Sequence, residues 1–339
     1  MSSTVSLPLP LPLLEARNLG VSYAIRHAGR RVRLRALDDV SFHLDRAETL
    51  GIVGESGSGK STLARALLRL IPADAGTVRL QPDINLLTLR GAALRSVRSR
   101  LQMIFQDGVA ALDPRQRIGE ALDEPLVVLK PQLTEPQRRE RVRSLLEWVG
   151  LEAGHLDRFP HEFSGGQAQR IGIARALMVE PEIVVCDEPL SSLDVSIKAQ
   201  ITALLQQLQQ ALQLSMIFIA HDLPAVQQLC DRVLVLYLGR VMEIAPCAAL
   251  FDQPRHPYTR ALLQSVPIPD PRVARGRRTA PLAGEIPSSL EPPSGCVFRT
   301  RCAYAIDRCA REVPLLRSVD GTEVACHRAE EIPRHHGPR

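Results

Sequence analysis

Continuous apolar runs alternate with stretches of helical periodicity along most of the chain. Three apolar runs predict buried strands: TLGIVG at 49–54, EIVVCDE at 182–188 and SMIFIA at 215–220. Two amphipathic stretches that follow such runs predict helices: STLARALLRLI at 61–71 and IKAQITALLQQLQQALQL at 197–214. Strands that alternate with helices indicate an α/β fold with a largely parallel sheet.

The segments around this core have different patterns. Residues 13–53 contain LLEARNLGVSY and LRALDDVSFHL, which predict short strands. Residues from about 90 to 178 are expected to form a helical subdomain, because GAALRSVRSRLQ and PQRRERVRSLLEWVG have charged, helical patterns. The segment DRVLVLYLGRVMEIA predicts a hairpin around Leu238 and Gly239.

The composition changes near the end of the chain. From about Pro254, prolines, arginines and cysteines replace long apolar runs, so we expect a domain boundary near Gln253. The predicted division is a tail at 1–12, a main domain at 13–253 and a C-terminal extension at 254–339.

Composition and charge narrow the class of protein. With 339 residues, 45% of them hydrophobic and 23% charged, the chain has the length of roughly two globular domains and is unlike disordered, collagen-like or fibrous proteins. No run approaches the roughly 18 consecutive apolar residues of a membrane-spanning helix. The N-terminal VSLPLPLPLL is interrupted by prolines and has no basic flank or cleavage site, so we expect a tail rather than a signal peptide. The net charge of +5 and the isoelectric point near 9.0 allow an anionic partner without choosing one.

A glycine-rich loop follows the first buried strand and opens a helix. Its eight residues match the phosphate-binding loop pattern in full: Gly54, Glu55, Ser56, Gly57, Ser58, Gly59, Lys60 and Ser61. Glycines let consecutive backbone N–H groups point at an anion, and the helix N-terminus adds partial positive charge. Lys60 is expected to reach the β- and γ-phosphates, and the Ser61 hydroxyl to ligate Mg²⁺. The alternative is a glycine-rich turn that binds nothing, which does not explain why sequence and context both match.

Two acidic residues, Asp187 and Glu188, end the second apolar run. Ligands of parallel sheets bind at this end of the strands. Asp187 is expected to hold the metal, and Glu188 to accept a proton from an attacking water. An Asp-Glu pair by itself is more often part of a solvated loop, but its combination with the phosphate-binding loop favours the catalytic interpretation.

Three further polar features are weaker candidates. The sequence SGGQ at 164–167 opens a helix, which predicts either a second anion site or a simple N-cap by Ser164. Gln106 follows the apolar LQMIF, and His221 follows SMIFIA. Each of these two side chains is either part of a ligand site or an ordinary loop residue.

These motifs, in this order, resemble the ATP-binding cassette of ABC transporters. The resemblance covers residues from about 13 to 253 and includes QMIFQD, FSGGQ, IVVCDE, the run Ser192-Leu193-Asp194, and His221. It implies a P-loop NTPase fold with a RecA-like core, an antiparallel β subdomain and an α-helical subdomain. In that family two subunits sandwich two ATP molecules, each between the phosphate-binding loop of one subunit and the SGGQ signature of the other.

The resemblance also implies which residues bind ATP and Mg²⁺. Tyr23 would stack on adenine. The phosphates would be cradled by Gly54, Glu55, Ser56, Gly57, Ser58, Gly59, Lys60, Ser61 and Thr62. Mg²⁺ would be held by Ser61, Gln106 and Asp187.

Catalytic and subunit-coupling roles follow from the same resemblance. Glu188 would be the general base, and His221 would hold the γ-phosphate and the attacking water. Gln106 would sense Mg²⁺ and couple to the membrane subunit, and Asp194 would link the two ATP sites. The partner's ATP would be closed by Ser164, Gly165, Gly166 and Gln167.

The C-terminal extension resembles that of one subfamily of ABC transporters. HPYTRALLQSVP at 256–267, GCVFRTRCAYAIDRC at 295–309 and ACH at 325–327 are similar to the extension of ATPase subunits in oligopeptide and dipeptide importers. MIFQDGVAALDPR and VCDEPLSSLDVSI are similar to the second of the two paralogous ATPases in such systems. The departures from the general cassette pattern, at Phe163, Gly108 and Ala168, remove no group with an implied catalytic role.

The resemblance implies an ATPase subunit that energises peptide import from the cytoplasmic face of the cell membrane. Its implied partners are a paralogous ATPase subunit, with a homodimer left open, two transmembrane permease subunits and an extracytoplasmic substrate-binding protein. ATP and Mg²⁺ are the implied cofactors. Because the ATPase does not touch the cargo, nickel chelates, glutathione and sugars remain alternatives to peptides.

Four of the seven cysteines crowd the C-terminal extension: Cys296, Cys302, Cys309 and Cys326. Four thiolates suffice for a tetrahedral zinc ion or a four-iron cluster, and spacing alone leaves both open, together with free or oxidised thiols. The related peptide importers hold a 4Fe–4S cluster here, so the resemblance favours iron–sulfur over zinc. We interpret the adjacent His327 as a bystander rather than a substitute ligand.

Two other classes of function are disfavoured. Cassette ATPases that act on nucleic acid typically have two cassettes or a long coiled coil, whereas this chain has one set of motifs and no heptad run. We therefore expect no nucleic-acid partner. A non-hydrolysing regulatory subunit would require a degenerate motif, and the sequence contains none.

Overall fold

The computed structural model describes residues 11–27, 29–265 and 284–332, so ten of the twelve residues of the predicted tail lie outside the described residues. Within these ranges the strands form two sheets. The strands are β1 (Leu14–His27), β2 (Arg30–Leu44), β3 (Thr49–Val53), β4 (Ala75–Leu80), β5 (Ile84–Asn85), β6 (Leu101–Ile104), β7 (Ile183–Asp187), β8 (Ser215–Ile219), β9 (Arg232–Tyr237), β10 (Arg240–Pro246), β11 (Arg317–Val319) and β12 (Thr322–Val324).

The smaller sheet is antiparallel and has the order β2-β1-β4-β5. β1 and β2 pair from Leu14 opposite Leu44 to His27 opposite Arg30. Both strands are longer than the short strands expected, because their alternation of more and less buried residues continues past the edge of the core. This sheet is the antiparallel β subdomain that the resemblance implied.

The main sheet has the order β11-β12-β10-β9-β3-β8-β7-β6. The neighbours from β9 to β6 are parallel, as predicted for the core. The predicted hairpin joins β9 to β10 through Leu238 and Gly239, whose φ angles are 44° and 75°. β12 pairs with β10 and β11 with β12, so residues from the expected C-terminal extension add two strands to this sheet.

Helices cover the main sheet and form a subdomain beside it. They are α1 (Lys60–Leu67), α2 (Gly91–Arg98), α3 (Ile118–Leu129), α4 (Glu135–Trp148), α5 (Gly165–Leu177), α6 (Val195–Leu212), α7 (Leu223–Leu229), α8 (Cys247–Asp252), α9 (Pro257–Gln264) and α10 (Asp307–Arg311). The segment expected to be helical, 90–178, also contributes β6, which pairs with β7 at the edge of the main sheet. Among the helices of the described ranges, none has the length and apolar character needed to cross a bilayer.

Both faces of the main sheet are buried. In β7, Ile183 and Val185 belong to the core shared with the smaller sheet and α1, whereas Val184 and Cys186 belong to the core under the helices on the other side. This burial explains why the strand reads as a continuous apolar run instead of an alternation. Ligands of such a sheet therefore bind at the strand ends, where the loops emerge.

Candidate active site

The phosphate-binding loop joins β3 to α1 at the carboxyl end of the parallel strands. Gly54 has φ 157°, and a Cβ at that position would lie 2.2 Å from Leu236 O. Gly59 has φ 107°, and a Cβ there would lie 2.6 Å from Ala36 O. Backbone atoms of β9 and β2 thus lie against the loop, and only glycine fits at these two positions.

Lys60, the first residue of α1, is buried and holds the loop together. Its Nζ donates hydrogen bonds to Gly54 O at 2.9 Å and Glu55 O at 3.0 Å. Burial lowers the pKa of Lys60, while the carboxylates of Glu188, Asp187 and Glu55 oppose that shift. The ammonium group is therefore positioned beside the loop and next to acidic side chains.

Asp187 and Ser61 form a pair of oxygen ligands at the end of β7. The Ser61 hydroxyl donates to Asp187 Oδ1 at 2.9 Å. Asp187 is buried, and this desolvation raises the pKa of its carboxyl group, against the lowering effect of the Ser61 hydrogen bond. Hydroxyl and carboxylate oxygens suit Mg²⁺, which usually keeps several waters and takes its remaining ligands from substrate phosphates. The donor set here fits that ion.

Glu188 lies between Lys60 and His221. Its Oε1 is 4.0 Å from Lys60 Nζ, and its Oε2 is 3.4 Å from His221 Nδ1. Glu188 has φ 49°, and its backbone N–H donates to Ile219 O, which anchors the residue to β8. The two residues expected to act on the attacking water are thus neighbours, although 33 positions separate them in the numbering of the chain.

A cavity of about 430 Å³ opens in front of the loop. The predicted residues that line it are Tyr23, Ser56, Gly57, Gly59, Lys60, Ser61, Thr62, Gln106 and Glu188. The Tyr23 hydroxyl donates to Thr62 Oγ1 at 3.5 Å, so the side chain expected to stack on adenine does lie beside the phosphate-binding loop. Asp187 lies behind Ser61, and His221 reaches the site through Glu188.

Several residues of this cavity were not predicted. They are Leu34, Arg35, Ala36, Leu238, Gly239 and Ser289. Leu34 pairs with Tyr23 across β1 and β2, so the register of the two strands would have identified it. No sequence signal places Ser289 here, because it belongs to the C-terminal extension and reaches the cavity through tertiary packing.

The SGGQ turn does not line the cavity beside Lys60 of its own chain. Ser164 is the N-cap of α5, where its Oγ accepts from the Gln167 amide at 3.3 Å, as the N-cap interpretation predicted. A Cβ on Gly165 would lie 3.6 Å from Leu193, and one on Gly166 would lie 2.7 Å from Ile197. The turn therefore packs against the start of α6.

Asp194 caps the same helix, α6. Its Oδ1 accepts from the Ile197 amide at 3.0 Å and from the Ser196 hydroxyl at 2.7 Å. The Ile197 hydrogen bond is the main cause that lowers the pKa of this exposed carboxyl group. Ser164, Gly165 and Asp194 are thus exposed at the adjoining starts of α5 and α6, whereas Gly166 is buried.

Gln106 is held near α5 by its neighbours. A Cβ on Gly108 would lie 2.7 Å from Ala168 O, and the Gln169 side-chain amide donates to Phe105 O at 3.4 Å. The two departures from the general cassette pattern at 108 and 168 are therefore in contact. The segment that carries Gln106 is thus packed closely against the helix that begins at the SGGQ turn.

The four cysteines of the extension converge on one small cavity, of about 10 Å³. Burial raises the pKa of Cys296 and of Cys326 to about 11. Four thiols suit a soft metal or an iron–sulfur cluster. However, the part of the chain that the structure describes contains no group of three or more His, Cys, Asp or Glu side chains arranged to hold a metal ion. His327 lines the same cavity, and its Nε2 lies 3.1 Å from Glu312 O.

Comparison with known proteins identifies the family. Residues 37–191 match the ABC transporter family, and residues 242–309 match the C-terminal region of oligopeptide/dipeptide transporters. The oligopeptide transport ATP-binding protein OppF of Haemophilus influenzae is 48% identical over 320 residues, covering 93% of this chain and 96% of that protein. OppF of Escherichia coli K12 is 48% identical over 325 residues, covering 94% of this chain and 97% of that protein.

A solved structure of another ATP-binding cassette has a similar fold. The dimeric ATP-binding cassette MJ0796, in a post-hydrolysis state bound to ADP and phosphate, has a TM-score of 0.62 and 27% identity, covering 69% of this chain and 98% of that chain. The glycine-lined loop, the buried lysine and the paired acids at the end of the parallel sheet thus occur in a chain that belongs to the ABC transporter family of ATPases.

Proposed function

We propose that this chain is the ATP-hydrolysing subunit of an importer of oligopeptides or dipeptides. The observation that carries the proposal is the convergence of Lys60, Ser61, Asp187, Glu188 and His221 at one end of the parallel sheet. The peptide substrate rests on the names of the similar proteins and on the C-terminal region at 242–309.

The residues of the site have different roles in phosphoryl transfer. The backbone of the phosphate-binding loop and Lys60 hold the β- and γ-phosphates, and Ser61 and Asp187 hold Mg²⁺. When bound, Mg²⁺ neutralises charge on the phosphate oxygens. Glu188 accepts a proton from the attacking water, and His221 orients that water and the γ-phosphate. The contact between Glu188 and His221 supports this division.

A second subunit completes the site. The SGGQ turn does not line the Lys60 cavity of its own chain, which supports its action on ATP held by a partner. Closure of the dimer would then couple hydrolysis to a large motion. We propose a paralogous ATPase as the partner. Native mass spectrometry of the purified complex distinguishes that heterodimer from two copies of this chain.

A permease is proposed to bind an apolar groove between the main sheet and the helical subdomain. The groove has a volume of about 410 Å³ and is lined in part by Leu70, Phe105 and Val128, which are 51%, 44% and 54% exposed. Phe105 precedes Gln106, which lines the nucleotide cavity. An amphipathic permease helix in this groove would therefore sense the occupancy of the nucleotide site, and would place the chain on the cytoplasmic face of the membrane.

The cysteine cavity is proposed to bind a 4Fe–4S cluster. The resemblance to peptide importers and the convergence of four thiols support this proposal. Cys296, Cys302, Cys309 and Cys326 would hold the cluster as thiolates, so they would bind it without their protons. Zinc is the alternative ion for the same donor set.

Reconstitution tests the whole function. The chain would be purified with its partner ATPase, two permease subunits and the substrate-binding protein, and placed in proteoliposomes with ATP on the side of the ATPases. Uptake of a labelled oligopeptide that requires ATP supports the proposal. Uptake of a nickel chelate, glutathione or a sugar in its place would reject the peptide substrate. Tight, salt-sensitive binding of the isolated chain to DNA or RNA would instead favour a nucleic-acid ATPase.

A further inference from the structure

The C-terminal extension makes a direct ionic contact with the phosphate-binding loop. Arg301 Nη1 lies 2.7 Å from Glu55 Oε2, and Arg301 Nη2 lies 3.0 Å from Glu55 Oε1. The side chains are 5% and 20% exposed. This is a two-point pair of planar groups, the geometry in which an arginine fixes a carboxylate most firmly.

The backbone of Glu55 is held from the same side. Its amide donates to the Tyr258 hydroxyl at 2.8 Å. The guanidinium of Arg301 lies over the ring of Tyr237, 5.8 Å from its centroid, and Nη1 also donates to the Tyr237 hydroxyl at 3.3 Å. Tyr237, Tyr258 and Phe298 pack with ring centroids 4.6 to 5.4 Å apart. Thus Glu55 is held through both its side chain and its amide.

The negative charge of Glu55 is unfavourable in a loop that binds phosphate. The other groups of the loop present N–H donors and an ammonium group to a polyanion, whereas a carboxylate repels phosphate. Arg301 pairs with this carboxylate where both side chains are largely buried, and Glu55 does not line the nucleotide cavity.

Arg301 is positioned by the cysteine region. It directly precedes Cys302, and its short helix, Arg299–Arg301, follows Cys296 and Phe298. Cys296, Phe298 and Cys302 all line the thiol cavity. The position of the guanidinium therefore depends on how the cysteine region folds, although Arg301 lies 246 positions from Glu55 in the chain.

We propose that Arg301 is a positioning residue for ATP binding: the C-terminal extension uses it to neutralise Glu55 and to hold the phosphate-binding loop in its binding conformation. The inference rests on the proposed binding of ATP by that loop. In this proposal the C-terminal extension contributes to ATP binding, so the affinity for ATP depends on an intact extension.

Charge-compensating variants of the full-length chain test the inference. Arg301→Gln leaves an uncompensated carboxylate in the loop, and we expect the Kd and the KM for MgATP to rise about tenfold while kcat changes less than about threefold. Arg301→Gln combined with Glu55→Gln removes both charges and is expected to bring affinity back to within about threefold of the wild type. Isothermal titration calorimetry and steady-state hydrolysis give the two readouts.

Arg308→Gln is the matched control. Arg308 lies in the same extension and pairs with Glu312 at 2.7 Å, but the two side chains are 58% and 56% exposed. We expect this variant to bind ATP as the wild type does. A loss of affinity in Arg308→Gln equal to that in Arg301→Gln would show that any change in the extension acts through folding, and it would overturn the inference.

Other outcomes are equally decisive. Wild-type affinity in Arg301→Gln, or a double variant as weak as the single one, overturns the inference while leaving the proposed function intact. A wild-type chain that binds no ATP rejects the proposed function instead. If Arg301→Gln does not fold, Arg301→Lys replaces it, with Arg308→Lys as its control. Arg301→Lys should weaken ATP binding about threefold through loss of the two-point contact, whereas Arg308→Lys should bind ATP as the wild type does. Equal affinity in these two variants overturns the inference.

Discussion

Ser61 and Asp187 are 126 positions apart in the chain, and the Ser61 hydroxyl donates a hydrogen bond to Asp187 Oδ1 at 2.9 Å. The contact joins the first turn of α1 to the end of β7, so it forms only once the parallel sheet has assembled. It brings two oxygen ligands together beside Lys60, where the phosphates of ATP are proposed to bind.

The first prediction concerns Mg²⁺. Asp187→Asn removes the charge but keeps the shape, and we expect the Mg²⁺ concentration for half-maximal hydrolysis to rise about tenfold or more. ATP binding in the presence of EDTA should change little, because the carboxylate acts through the metal. Titration of Mg²⁺ against phosphate release measures the effect. Asp83→Asn, at a side chain that is 87% exposed, is the control and should match the wild type.

The second prediction concerns the general base. Glu188→Gln should retain ATP binding and lower kcat by about 10² to 10⁴, because an amide cannot accept the proton of the attacking water. Light scattering with ATP present should show a dimer that persists, because ATP is bound but not hydrolysed. Glu140→Gln, at an exposed position of α4, makes the same chemical change away from the site. A normal rate of hydrolysis in Glu188→Gln would reject Glu188 as the base.

The third prediction concerns the close approach of Gly108 to α5. Gly108→Ala places a Cβ 2.7 Å from Ala168 O and 2.9 Å from Gln169 N, and backbone atoms cannot rotate away. We expect a loss of about 1 to 3 kcal/mol in the free energy of unfolding, measured with urea. Gly172→Ala is the matched control on α5. Its Cβ meets nothing closer than Gly108 Cα at 3.8 Å, so improved helix propensity should make this variant up to about 1 kcal/mol more stable.

The fourth prediction concerns the permease groove. Val128→Glu puts a charge on the apolar lining of this groove, so it should abolish stimulation of hydrolysis by the permease subunits while leaving the activity of the ATPase dimer without permease unchanged. Val127→Glu is a stringent control, because Val127 is 49% exposed on the same helix but does not line the groove. Equal loss of stimulation in both variants would contradict the proposed docking surface.

The fifth prediction concerns the thiols. Anaerobically purified protein should contain about four irons and four sulfides per chain, with visible absorbance that Cys302→Ser diminishes. Cys230→Ser, at a buried cysteine outside the cavity, should retain the colour. A colourless sample with one zinc per chain supports the alternative ion. A sample free of both metals rejects metal binding.

The sequence predicted the elements whose structure depends on short-range geometry. The loop 54–61 carries its glycines, lysine and serine within one strand-turn-helix unit, and the structure places that unit between β3 and α1. The apolar runs predicted β3, β7 and β8 because these strands are buried on both faces. The same local reasoning underestimated the lengths of β1 and β2. Their outer halves contain few buried residues, so no apolar run in the sequence shows where these strands end.

The sequence by itself thus predicted the phosphate-binding loop, the candidate base Glu188 and the metal ligands Ser61 and Asp187, because each motif is a short pattern with a local physical requirement. The order of the motifs, through their resemblance to known cassettes, indicated the family. Only the tertiary structure brought Arg301 to Glu55, Ser289 to the nucleotide cavity and β12 to the edge of the main sheet. These contacts join segments that are far apart in the chain. They depend on how the C-terminal residues pack against the finished sheet, which no periodicity or spacing encodes.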